Sequence, residues 1–275
     1  MSGLTFSPAE WRLIQTIPAP GAWNMAVDEA ILVAAGSGAV PPTLRLYAWD
    51  PPCLSLGYAQ PYADVDVPRL FERGWQVVRR PTGGRAILHT DELTYSVCGP
   101  SSEPRLAGSV LESYRSLSAA LLAALHLLDI PAESHPISVD QSHGPVCFEV
   151  PSNYEITVAG RKLIGSAQAR RKEGILQHGT LPLQGDLSRI VQALVFPDEN
   201  TRQVKAERLL ARAATLEEVV GRVIPRQQAA QAFVSAFEET LNLRLTPAAL
   251  TPAELARAEG LVEAKYAHSD WTQKL

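Results

Sequence analysis

The sequence predicts an α+β fold of mixed, largely antiparallel sheet layers flanked by helices. Two observations predict it. Strand-like runs come in neighbouring pairs separated by short turns, and helical stretches sit between those sets and gather beyond Gln184. At 275 residues, 46% of them hydrophobic, the chain can build one sizeable core.

In chain order, Trp11 to Ile17 reads as a first strand. "PAPGA" breaks it before a helix that ends at Gly36, with Met25, Ala26, Glu29, Ala30 and Leu32 to Ala34 at helical spacing. "TLRLYAW" and "CLSLGY" are alternating runs divided by "DPP", which predicts an antiparallel hairpin. A short helix, "VPRLFERG", leads to a strand over Trp75 to Arg79. After a glycine loop, "AILH" and "LTYSVCG" read as two more paired strands, and a long helix follows from about Ala107 to Leu128. Ser134 to Val146 is polar and turn-prone, a long loop of the kind that often carries function. From Asn153 to Leu183 three or four short strands are expected, turning at Ala159-Gly160 and again at "KEG". The domain reading is a catalytic unit over 1–200 and a helical extension over 201–275, both in one compact body.

The formal net charge of −4 argues against nucleic acid held by bulk electrostatics, so any cationic site must be local. No stretch approaches the ~20 apolar residues of a membrane span, and "MSGLTFSPAEWRLIQ" does not read as a signal segment, so the expectation is a cytoplasmic protein without a membrane partner. Cys53, Cys98 and Cys147 are widely spaced and without CxxC, and no HExxH or paired-histidine spacing occurs. Neither a disulfide framework nor a metal site is expected.

The stretch "VVRRPTGGRAILHTDELTYSV" gathers Arg79, Arg80, Gly83, Gly84, Arg85 and His89. Glycine lets backbone N–H groups approach a ligand, so glycine beside cations suggests a loop shaped around an anion or a carbonyl; a plain hairpin is the competing reading. The loop has neither a Walker A nor a GxGxxG pattern. Cys53 and Cys98 lie in apolar strands, whereas Cys147 stands at the end of the polar loop, where partial exposure is expected. If Ala159 and Gly160 form a two-residue turn, Thr157 lies opposite Lys162 and Ile156 opposite Leu163, and Lys162 shares a face with Glu155 and Thr157. Lys162, one of five lysines, could then lower a nearby thiol pKa or accept its proton. A solvated hairpin lysine and an inert thiol are the plainer alternatives.

Two long motifs in order, "RRPTGGRAILHTDELTYSV" and "GRKLIGSAQARRKEGILQHGTLPL", resemble the lipoate–protein ligase and octanoyltransferase superfamily, whose fold is an α+β layer shared with biotin protein ligases. The resemblance covers about Trp11 to Leu194. ATP-dependent ligases of that superfamily show RRxGGGxVxHD; here Arg85 replaces the third glycine, and Thr90 follows His89 with Asp91 one place later. The cysteine in "CFEVPSNYE" ahead of "GRKLIGSAQ" is instead similar to the Gram-positive-type octanoyltransferases. The resemblance implies that Cys147 accepts the acyl group and that Lys162 is its activating partner. It places Arg79, Gly83, Gly84, Arg85 and His89 in the substrate-binding loop and Gly165, Ser166 and Ala167 around the acyl group. It implies no cofactor, octanoyl-acyl carrier protein as donor, and a lipoyl domain or glycine-cleavage H protein as acceptor. Ile87 and Leu163 are candidate slot residues, and Arg161, Arg170, Arg171 and Lys172 a candidate landing patch for the acidic carrier. An ATP-dependent lipoate ligase, a non-catalytic lipoyl-domain or lipoate binder, and an amidotransferase with another donor remain alternatives.

Overall fold

The computed structural model describes residues 5–135 and 155–275; Cys147 and most of the expected polar loop lie outside them. The elements run β1 (Ala9–Gln15), α1 (Gly21–Gly36), β2 (Thr43–Tyr47), β3 (Cys53–Leu56), α2 (Val67–Glu72), β4 (Gln76–Arg79), β5 (Ile87–His89), β6 (Glu92–Gly99), α3 (Val110–His126), β7 (Glu133–His135), β8 (Glu155–Val158), β9 (Arg161–Arg171) and β10 (Gly174–Pro182). A 3₁₀ stretch (Leu187–Ala193) then leads to α4 (Glu199–Arg212), α5 (Leu216–Val220), α6 (Arg226–Leu241), β11 (Leu243–Pro247), α7 (Pro252–Leu261) and, after a π turn, α8 (Ser269–Thr272). The predicted α+β class is what the structure has.

Eight strands form one sheet in the order β11-β1-β2-β6-β10-β9-β8-β7, and β4-β3-β5 form a second, smaller one. Strand β6 shows how the sequence builds two faces. Leu93, Tyr95 and Val97 point into a core shared with Leu117 and Leu121 of α3 and Phe233 and Phe237 of α6. Between them Thr94, Ser96 and Cys98 face the other way, where Cys98 packs with Met25 and Ile31 of α1, as the two-residue period of a strand requires. Helix α3 starts in a capping box, Ser109 and Glu112 each bonding the other's backbone N–H. The Ala159-Gly160 turn has positive φ at both residues, 48° and 75°, as a type I′ hairpin requires.

Three strand expectations are corrected. The runs around "DPP" do not pair with each other: β2 lies between β1 and β6, which use both its edges, so β3 leaves for the small sheet. For the same reason β5 and β6 are not partners; β5 pairs β3, and β6 sits between β2 and β10. Across the hairpin Thr157 does face Lys162, but a register shift between Ile156 and Thr157 puts Ile156 opposite Ile164 rather than Leu163.

The segment beyond residue 201 adds a strand as well as helices. β11 pairs β1 in parallel, and the buried Arg12–Glu254 pair, at 2.6 Å, ties β1 to α7. No helix among the described residues is long and apolar enough to cross a membrane.

Candidate active site

A cavity of about 420 Å³ opens between the two sheets. The polar face of the large sheet supplies Lys162, Gly165, Ser166 and Ala167 from β9 and His178 to Thr180 from β10. The small sheet and its loop supply Ser55, Arg80, Gly84, Arg85, Ile87 and His89, and Met25 and Trp49 close it with apolar surface. Of the expected site residues, Lys162, Gly84, Arg85, His89, Gly165, Ser166 and Ala167 therefore converge. Gly83 does not line the cavity; it borders an open groove just outside it. Ile87 lines the cavity as expected, but Leu163 points into the α3–α6 core, because it alternates with Lys162 along the strand.

Arg79 is placed differently from the expectation. It is fully buried behind the loop, not on the cavity, and its guanidinium donates to the carbonyls of Gly57 (2.9 Å), Gln60 (2.5 Å) and Thr272 (2.8 Å). A strand-end cation and a ligand-binding cation look alike in sequence; here backbone carbonyls take the charge. Arg80, which the site prediction omitted, is the arginine that reaches the cavity. It donates to the carbonyls of Ser55 (2.8 Å), Gly83 (2.9 Å) and Arg85 (2.7 Å), holding the glycine loop from inside. Gly84 has φ of +91°, and the carbonyl of Gly84 lies so near Gly57 that a Cβ on Gly57 would sit 1.9 Å from it. Two glycines thus let two chain segments close over the cavity mouth.

Two buried histidines anchor the walls. His89 stacks on Trp49, centroids 3.9 Å apart. Its Nδ1 lies 2.5 Å from Glu92 Oε1 and its Nε2 2.7 Å from Ser55 Oγ. A carboxylate only accepts, so Nδ1 carries a proton toward Glu92, and the Ser55 hydroxyl that pairs with Nε2 also accepts from Arg80 at 3.1 Å. Both ring nitrogens are engaged, and His89 offers the cavity a flat, fixed surface. His178 is arranged similarly, with Nε2 at 2.6 Å from Thr82 Oγ1 and Nδ1 at 3.4 Å from Asp28 Oδ2. Burial lowers the His178 pKa, so the neutral ring holds Thr82 and with it the loop. Burial works against a charge on Asp28, but Arg45 at 2.7 Å and His178 outweigh it and keep the pKa below the usual value.

Lys162 is the chemically distinctive group on the cavity wall. It is buried, with Nζ 2.7 Å from Glu155 Oε1. Thr180, 1% exposed, also lines the cavity, and its hydroxyl has no hydrogen-bond partner among the described residues. Cys53 and Cys98 are buried, and burial pushes both thiols far above the ordinary range. Asp91, at the position where the ligase pattern is displaced, turns away to Arg189 at 2.5 Å. The expected landing patch divides. β9 is eleven residues long, about 35 Å at ~3.3 Å per residue. Arg161 at its start pairs with Glu218, and Arg170 near its end is spent on the carbonyls of Leu106, Gly108 and Ser109.

The sequence model of the lipoyl protein ligase A/B catalytic domain matches residues 20–238. The chain belongs to the lipoyl protein ligase A/B family. Within this family it is 43% identical to the octanoyltransferase LipM of Symbiobacterium thermophilum over 96% of this chain and 98% of that protein, and 41% identical to the LipM of Brevibacillus brevis over 95% and 98%. The bipartite lipoate protein ligase of Thermoplasma acidophilum superposes with a TM-score of 0.81 at 25% identity, covering 98% of this chain and 97% of that one. A lipoate-protein ligase A bound with ATP superposes at 0.78, also at 25% identity, over 96% and 98%. The A/B family resemblance of the two quoted motifs is thus matched along nearly the whole chain, and in this structure both motifs, Arg79 to His89 and Arg161 to Pro182, surround one cavity.

Proposed function

We propose that this chain is an octanoyltransferase of lipoate assembly, moving an octanoyl group from acyl carrier protein to a lysine of a lipoyl domain or glycine-cleavage H protein in the cytoplasm. The observation that carries the reading is the convergence of Lys162, the Gly165 to Ala167 segment and the glycine loop on one cavity with apolar walls. The near full-length similarity to LipM octanoyltransferases supports it.

Cys147 lies outside the described residues, and its role is assigned from the motif. In the first transfer the Cys147 thiolate attacks the donor's thioester carbonyl. The new Cys147 sulfur–carbon bond replaces the donor's, and the donor sulfur leaves as a thiolate beside the Lys162 ammonium, whose positive charge favours thiolate over thiol on both sulfurs. In the second, the acceptor lysine's neutral amine attacks the S-octanoyl group, forming an amide; the carbon–sulfur bond breaks and the amine's surplus proton leaves on the released Cys147 sulfur. Thioester to amide is downhill, so no ATP is consumed. The Thr180 hydroxyl has no partner among the described residues and is free to donate to the acyl carbonyl oxygen, where charge develops. The apolar walls take the alkyl chain: about seven methylene and methyl groups at ~0.8 kcal/mol each give roughly 5 kcal/mol before ordering costs. The raised pKa of the two buried cysteines leaves Cys147 as the thiol for this chemistry.

The test is transfer in the absence of nucleotide. Octanoyl-acyl carrier protein plus a lipoyl domain should yield the octanoylated domain without ATP. A requirement for ATP, with AMP formed from lipoate, would replace this reading by the ligase one; binding of the domain without turnover would favour a binding protein.

A further inference from the structure

Just outside the cavity lies an open groove lined by Tyr58, Gly83, Arg171, Lys172, Lys265 and Trp271; Glu173 is its carboxylate. It is continuous with the cavity, since Ala59 and Gly84 line both. The C-terminal tail completes it. Lys274 Nζ stands 3.2 Å from the centre of the Tyr58 ring and 4.0 Å from that of Trp271, and Lys265 Nζ is 4.2 Å from the same Trp271 ring. The tail is held there by Arg79 through Thr272 and by Trp271 Nε1, which donates to the Arg79 carbonyl at 2.8 Å. Four cations therefore gather at one aromatic platform on a chain whose net charge is negative. Lys265 is partly neutralised by Glu29 at 2.6 Å. Burial first, and then the nearby Arg79, Lys265 and Arg171 charges in the same direction, draw the Lys274 pKa down to about 8.

Strand β9 runs the length of both spaces: Lys162 and Gly165 to Ala167 face the cavity, and Gln168 to Arg171 face the groove. From Ser166 or Ala167 to Arg171 is about 13–17 Å at ~3.3 Å per residue. A pantetheine arm has about thirteen bonds between its sulfur and its phosphorus, and at the ~1.2 Å advance of an extended chain it reaches about 16 Å. We propose that this groove binds the phosphate of the acyl donor's phosphopantetheine arm, with Arg171, Lys172 and Lys274 on the anion and β9 guiding the thioester inward. The inference rests on the octanoyltransferase reading.

The test compares S-octanoyl-4′-phosphopantetheine with S-octanoyl-pantetheine, which lacks only the phosphate, as donors for acylation of the full-length enzyme. The wild type should prefer the phosphorylated donor by at least about tenfold in kcat/KM, the size expected for charge-assisted contacts. In the Arg171→Ala/Lys274→Ala variant that ratio should fall to near one. Octanoyl-coenzyme A and octanoyl-acyl carrier protein carry phosphate at the same position of the arm, as a pyrophosphate and a phosphodiester, and sensitivity of either donor to the double substitution identifies the source. Equal use of both small donors by the wild type, or a preference untouched in the variant, overturns the inference while leaving the transferase standing. Acylation by neither small donor nor octanoyl-acyl carrier protein overturns the transferase reading, and this inference with it.

Discussion

Lys162 Nζ lies 2.7 Å from Glu155 Oε1 across the β8–β9 hairpin, an ion pair in which both side chains are nearly excluded from water. Removing one partner of such a pair leaves a buried uncompensated charge, whereas replacing both by apolar residues is often neutral. Glu155→Gln should therefore destabilise the fold by about 3 kcal/mol, and Lys162→Met/Glu155→Leu should recover most of that stability. Acyl transfer should stay down by about 10²- to 10³-fold in the double variant, since the cation that favours the thiolate is gone. Thermal melts and single-turnover acylation separate the two effects; activity returning with stability would make Lys162 a packing residue.

Thr180 sits opposite Gly165 on the cavity wall with its hydroxyl unpaired among the described residues. Val has nearly the same shape, so Thr180→Val should keep or raise Tm, because an unsatisfied buried hydroxyl costs ~1–3 kcal/mol. Loss of a donor to the acyl carbonyl should slow acylation by about tenfold or more. A fall in Tm without a fall in rate would show that the hydroxyl serves the fold.

Arg79→Ala should release the C-terminal tail. It deletes charged hydrogen bonds to Gly57, Gln60 and Thr272, at a cost of about 3 kcal/mol or more. Limited proteolysis should then cut near Trp271 faster than in the wild type, with the octanoyl-pantetheine rate reduced less than the octanoyl-carrier-protein rate. An uncut tail would contradict the assignment of Arg79 as its anchor.

His178 gives the stability a pH dependence. Its folded pKa is depressed by burial, so as pH falls below the unfolded value of about 6.5 the unfolded chain takes up the proton first, and stability declines until the folded pKa is passed. Asp28, also depressed, contributes stability that is lost only at lower pH, as the pH falls from its unfolded pKa of about 3.9 through its folded one. Tm should drop between pH 7 and pH 5, and His178→Gln should flatten that drop; an unchanged slope would exclude His178 as its source.

The sequence made some of this legible for identifiable reasons. The Ala159-Gly160 turn fixes the hairpin, and the alternation in "LTYSVCG" fixes which residues of β6 face each layer, because both are local rules. Lys162 could be placed beside Glu155 on that basis. Arg79 could not be told from Arg80, because sequence records a charge and not whether carbonyls or a ligand answer it. The partners of β2 and β3 were illegible for a related reason: both alternate along the strand and are buried on both faces, and alternation records which way a side chain points rather than the identity of a neighbouring strand. β11 escaped because it is five residues, Leu243–Pro247, with alternate residues exposed, set among helices. The histidines' second partners, Ser55 and Thr82, lie 34 and 96 residues away, beyond any motif spacing.

The central claim is a covalent octanoyl-enzyme on Cys147, and intact-protein mass spectrometry after incubation with octanoyl-acyl carrier protein, without ATP, tests it most directly. The account requires one octanoyl adduct on the wild type, mapped to Cys147 and missing from Cys147→Ala. A wild type that transfers octanoyl groups without ever carrying one, or an adduct that persists in Cys147→Ala, would contradict it.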